Sequence, residues 1–146
     1  MPAINPYLTF KNTCEEAFEF YRSVFGGDFA MVMRMGDMDC GQPVPDEAKN
    51  LIMHTALPIG GNMLMGSDAP EGFGPPLNVG NNYSVSVSAD SMDEGRRIFN
   101  ELSSGGQVMM PFEKAFWGAH FGMLTDKFGI QWMVSYDSAR EPALAA

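Results

Sequence analysis

The chain has 146 residues, with 9 Lys and Arg against 18 Asp and Glu, for a formal net charge of −9. At 45% hydrophobic and 18% charged residues it is too apolar for intrinsic disorder and long enough to bury a real core. So few cations under an acidic field would displace little phosphate counterion, which argues against nucleic acid and anionic membranes as partners.

No basic start precedes an apolar run near Met1, and no stretch of roughly 18 residues lacks polar interruption, so neither a leader nor a membrane span is expected. Cys14 and Cys40 make neither a CxxC pair nor a disulfide framework; they are expected as reduced thiols in a cytoplasmic protein.

In chain order, Pro6, Leu8 and Phe10 alternate as a first strand. A helix follows from Thr13 to Phe25, with Cys14, Ala17, Phe18, Tyr21, Val24 and Phe25 on one face. Asn12 and Glu15 form a capping box at its start, and Gly26-Gly27 supplies a left-handed exit. A strand over Asp28 to Met35 leads into a loop from Gly36 to Lys49, and a hairpin from Leu51 to Ser67 turns at Pro58-Ile59-Gly60-Gly61. Residues 68–81, with Pro70, Gly72, Gly74, Pro75 and Pro76, form a linker.

The same grammar then returns. Val85, Val87 and Ala89 form a strand; Ser91 and Glu94 open a helix through Ile98, Phe99 and Leu102; Gly105-Gly106 closes it. A strand from Gln107 to Glu113 and a hairpin from Trp117 to Tyr136, turning at Asp126-Lys127-Phe128-Gly129, complete the set. Positions 12 and 91, 15 and 94, 20 and 99, and 26 and 105 all stand 79 apart, which marks an internal repeat. The prediction is an α+β fold of two βαβββ modules, 4–67 and 82–137, within a single domain 1–146, with a loose tail at 138–146. One helix covers only one face of each sheet, so the other face is expected to border a concave trough between modules.

Ile4-Asn5-Pro6-Tyr7-Leu8, the Glu15-Glu16-Ala17 to Phe20-Tyr21 helix with Phe25-Gly26-Gly27, and Phe121-Gly122 through Thr125-Asp126-Lys127-Phe128-Gly129 to Trp132-Met133 carry a family resemblance. The chain resembles the PhnB-like branch of the glyoxalase/bleomycin-resistance/dioxygenase (vicinal oxygen chelate) superfamily, from Ile4 to Tyr136. The resemblance implies a paired-module fold, a homodimer with modules shared or exchanged, and a small-molecule cavity in each trough. In its metal-dependent members, ligands sit on the first and last strands of each module. Those positions fall here on Asn5, Met65, Ser84 and Met133, and a one-residue slip would put Tyr83 in place of Ser84. None is a His, Asp or Glu, so no metal and no cofactor are expected. Ubiquinone methyltransfer, a description attached to this branch, finds no Gly-rich strand–turn–helix cradle for a nucleotide cofactor.

Hairpin pairing sets His54 opposite Met65, and His120 opposite Ser135, which shares the parity of Met133; both histidines are thus expected to face the trough. Each is a candidate proton carrier, or alternatively a hydrogen-bonded sheet histidine. Asn5, Tyr7, Ser84, Ser86, Gln131 and Met133 complete a neutral, mildly polar wall. Trp117 and Phe116 offer an aromatic platform, while Met31, Met33, Met35, Met63 and Met65 suit either an adaptable lining or ordinary core filling. Cys40, on the insertion loop, has no sequence cue for activation as a nucleophile. The leading expectation is a protein that binds, and sequesters, a small neutral or cationic organic ligand. The alternatives are a lyase, isomerase or oxygenase using His54 or His120, and a regulatory dimer whose trough is filled by methionine.

Overall fold

The computed structural model describes residues 2–37, 44–70 and 74–137; Cys40, Gly72 and the tail beyond residue 137 lie outside them. The chain divides into two compact units, residues 1–78 and 79–146. Unit 1 runs β1 (Tyr7–Phe10), α1 (Cys14–Phe25), β2 (Met31–Arg34), β3 (Ile52–Ile59) and β4 (Asn62–Asp68). Unit 2 runs β5 (Val85–Ser88), α2 (Met92–Ser103), β6 (Gln107–Lys114), β7 (His120–Thr125) and β8 (Gln131–Tyr136). Each is a βαβββ module with a four-stranded sheet, ordered β1-β4-β3-β2 and β5-β8-β7-β6. The first strand pairs parallel with the last, and the remaining pairs are antiparallel. No described helix is long and apolar enough to cross a membrane.

Each helix covers one face of its own sheet. In unit 1 the buried side of α1, Cys14, Ala17, Phe18, Tyr21 and Val24, meets Leu8, Phe10, Leu57 and Leu64. In unit 2 Ile98, Phe99 and Leu102 meet Phe112, Leu124, Trp132 and Val134. Both helices sit close because a phenylalanine lies over a sheet glycine. A Cβ on Gly66 would stand 2.6 Å from the Phe18 ring, and one on Gly122 2.6 Å from the Phe99 ring, so only glycine admits either approach.

The helix starts differ. At α2 the Ser91 half of the reading holds, its hydroxyl accepting from Glu94 N–H, while the Glu94 carboxylate accepts from Asp90 N–H, one residue before the cap. At α1 it does not. Asn12 takes a left-handed turn at φ 68°, Thr13 occupies the cap position, and its side chain makes no capping bond. Asp68, at the end of β4, replaces it by accepting from Cys14 N–H at 2.9 Å and Ile52 N–H at 2.8 Å. Glu15 turns instead to Arg34 on β2, whose guanidinium holds its carboxyl below the usual range.

The hairpins correct the expected registers. In unit 1 the turn is Gly60-Gly61 alone, pairing Ile59 with Asn62 and Ala56, not His54, with Met65. That shift of two residues preserves the face on which each side chain stands. In unit 2 Asp126 N–H donates to the Ile130 carbonyl and Gly129 adopts φ 91°, leaving a three-residue loop, Lys127-Phe128-Gly129. His120 therefore pairs with Tyr136 rather than Ser135. A shift of one residue turns it onto the helix side of the sheet, and the Phe112 ring packs 5.8 Å from its imidazole.

Candidate functional site

The face of each sheet turned away from its own helix, the open face, gathers most of the candidates. In unit 1 its middle row reads Met31, Ala56, Met65, Tyr7 across β2, β3, β4 and β1. The neighbouring row sets Met33 opposite His54. The Tyr7 ring stacks on the His54 imidazole, with centroids 5.7 Å apart and planes 23° apart, and its hydroxyl stands 3.4 Å from Nδ1, at the long limit of a hydrogen bond. Tyr7 is exposed and His54 half-buried, so the pair is reachable from solvent. Asn5 is spoken for: its side-chain oxygen accepts from Met63 N–H at 2.9 Å, which fastens the chain before β1 to β4.

In unit 2 the equivalent row reads Ser86, Met133, Met123, Met110 across β5, β8, β7 and β6. The next row places Phe121 opposite both Ser135 and Glu113. Trp117 packs edge-on against Phe121, 5.6 Å between centroids, and against Phe116, 4.9 Å. Phe116 and Trp117 form the tip of the β6–β7 hairpin and are 97% and 56% exposed. Ser84 precedes β5 and is half-buried, and Gln131 donates from Nε2 to the Gly80 carbonyl at 3.0 Å.

Sequence reasoning missed Phe121, which fills in unit 2 the place of His54 in unit 1, and missed Met123 and Met110. The signal lay in Asp126 and Gly129: an aspartate three residues before a glycine marks a three-residue loop, and counting from it gives the observed parity. Asp126 is buried and accepts from Phe128 N–H, Ile130 N–H and Trp132 Nε1, so it shapes the hairpin and does no chemistry. Cys14 is likewise no nucleophile: burial pushes its thiol far above the ordinary range, with the nearby Asp68 and Glu15 charges adding to it.

A family model described as 3-demethylubiquinone-9 3-methyltransferase matches residues 2–135. The chain belongs to that family. The two βαβββ modules have the glyoxalase/bleomycin-resistance fold, as the resemblance implies. Protein YjdN of Escherichia coli is 30% identical over 144 residues, covering 90% of this chain and 93% of its own. The crystal structure of PA1353 from Pseudomonas aeruginosa is 39% identical, with a TM-score of 0.82 over 94% of this chain and 98% of its own. A PhnB protein from Bacillus cereus, described as a putative 3-demethylubiquinone-9 3-methyltransferase, shares the fold at TM-score 0.74 and 23% identity, over 92% of this chain and 99% of its own.

The β1–α1 and β5–α2 connections, Lys11-Asn12-Thr13 and Ala89-Asp90-Ser91, contain no glycine, so neither is the Gly-rich strand–turn–helix that cradles a dinucleotide pyrophosphate. Nor do the residues fit the hard divalent ion that the resemblance implies for metal-dependent relatives. The positions it assigns to ligands hold Asn5, engaged with Met63, the Met65 and Met133 thioethers, and the Ser84 hydroxyl. Among the described residues no three or more His, Cys, Asp or Glu converge in a metal-holding group.

Proposed function

We propose that this PhnB-like protein binds a small neutral or cationic organic molecule against its open sheet faces and holds it without transforming it. The stacked Tyr7–His54 pair carries the reading. It presents aromatic surface and two polar atoms, flanked by Met33 and Met65, in place of convergent carboxylates or imidazoles. Such a wall supplies dispersion contacts and orientation and favours cations through the ring faces. A net charge of −9 acts in the same direction and repels anions. In unit 2 Trp117, Phe121 and Met133 supply a similar aromatic and thioether surface. The working assembly is a homodimer, as the resemblance implies, to be checked by light scattering.

The test is thermal denaturation across a panel of aromatic amines, neutral aromatics and aromatic carboxylates. Amines and neutral rings raise the midpoint in a concentration-dependent way, and Tyr7→Ala with His54→Ala removes the shift. Stabilisation by carboxylates alone, or shifts that survive both substitutions, would contradict the proposal.

A second reading rests on the Tyr7 hydroxyl beside His54 Nδ1, which fixes the imidazole for proton transfer to a carbonyl substrate. Turnover abolished by His54→Ala and retained by His120→Ala would establish it.

A further inference from the structure

Strand β6 contains two bulges in eight residues, and both flank Met110. Val108 pairs with Leu124 on the helix side; the extra residue, Met109, then turns Met110 onto the open face opposite Met123. The second bulge returns Phe112 to the helix side, where it is buried. A bulge is a device for re-aiming a side chain, and this pair re-aims one residue. The result is an unbroken row in which Met110 faces Met123 and Met123 faces Met133.

Directly opposite residues carry Cβ atoms about 4.5–5.5 Å apart, and three torsions per methionine allow the sulfurs of such a row to converge. Thioethers are neutral, polarizable donors that prefer soft monovalent ions of the copper(I) class over zinc, manganese or magnesium. Met123 and Met133 are half-buried and Met110 is 49% exposed, so the row is sheltered yet reachable from solvent. Glu113, one row away opposite Phe121, and the acidic chain add a field that favours a cation.

We infer that Met110, Met123 and Met133 form a three-thioether site for a soft monovalent metal ion. The equivalent row of unit 1 lacks it, because Ala56 separates Met31 from Met65. The site shares Met133 with the unit 2 surface proposed for an organic ligand but requires no such ligand.

Silver(I), an air-stable ion of the same class, is titrated into the full chain carrying Cys40→Ser, which removes a thiol that would take silver ahead of any thioether. The protein is labelled at the methionine methyl carbons, with native mass spectrometry counting bound ions. One ion binds per chain, and of the thirteen methionines the methyl signals of Met110, Met123 and Met133 shift most. Met123→Leu in that background, which keeps an apolar side chain of similar volume, weakens binding about tenfold or more, whereas Met65→Leu leaves it unchanged. An unaltered melting temperature for Met123→Leu shows that the loss is one of donors. Absence of binding, or binding indifferent to Met123→Leu, would overturn the site.

Discussion

Units 1 and 2 share strand order and a helix lowered onto a sheet glycine, and both place methionines on the open face, unbroken as a row in unit 2 alone, yet they fasten their parts differently. Unit 1 uses a long-range carboxylate: Asp68 at the end of β4 holds the first turn of α1 and the start of β3. Unit 2 uses local ones: Glu94 and Ser91 cap α2, while Asp126 locks its own hairpin and the Trp132 indole. Asp68, Glu94 and Asp126 thus serve the scaffold, and the open faces carry rings, thioethers and hydroxyls, joined in unit 2 by Glu113. The comparison teaches that the repeat conserves backbone geometry while the side chains that implement it change.

The largest expected effect probes what the units share. Phe18→Ala and Phe99→Ala each remove a ring seated on a sheet glycine and should cost about 3–5 kcal/mol in chemical denaturation. Equal costs would confirm that both helices are held alike; a cost below about 1 kcal/mol in one unit would break the parallel.

The carboxylates come next. Asp126→Ala strands the Trp132 indole and two backbone N–H groups, and Asp68→Ala strands two backbone donors, so each should cost about 2–3 kcal/mol. Their signatures differ. Hydrogen exchange after Asp68→Ala should quicken at the start of α1, and after Asp126→Ala at the β7–β8 hairpin.

Cys14 gives unit 1 a pH dependence. Its folded thiol titrates above the ordinary value of 9.0 because burial disfavours the thiolate. The associated stability is complete below the unfolded value and is lost as pH rises beyond it, where only the unfolded chain ionises. The slope approaches about 1.4 kcal/mol per pH unit above pH ~9, and Cys14→Ala should remove it from urea midpoints measured against pH. A slope unchanged by that substitution would assign it elsewhere.

The smallest effect separates the caps. Ser91→Ala should cost about 1 kcal/mol, while Thr13→Ala, with no capping bond to lose, should fall within a few tenths. Equal losses would mean that Thr13 caps α1 after all.

Much of the scaffold was legible in the chain because it is written in short-range chemistry. The Ser91 cap and the glycine exits each depend on neighbours within a turn, and their recurrence at a spacing of 79 residues exposes the repeat. Asp68 was invisible as a cap because its partner Cys14 is 54 residues away, joined to it only once β1 and β4 pair. His120 was placed on the wrong face because one residue of hairpin length reverses parity, and Met110 escaped because two bulges interrupt the alternation that marks a strand. Tyr7 and His54 were both named as candidates; their stacking required the observed register of β1, β3 and β4.

The central claim is that the open faces hold small organic molecules without a hard divalent ion. Elemental analysis of protein purified without chelator, repeated after incubation with manganese, nickel and zinc salts and desalting, tests it most directly. The account predicts substoichiometric amounts of all three; one tightly retained equivalent of any of them, lost on substitution of Asn5, Ser84 or His54, would contradict it.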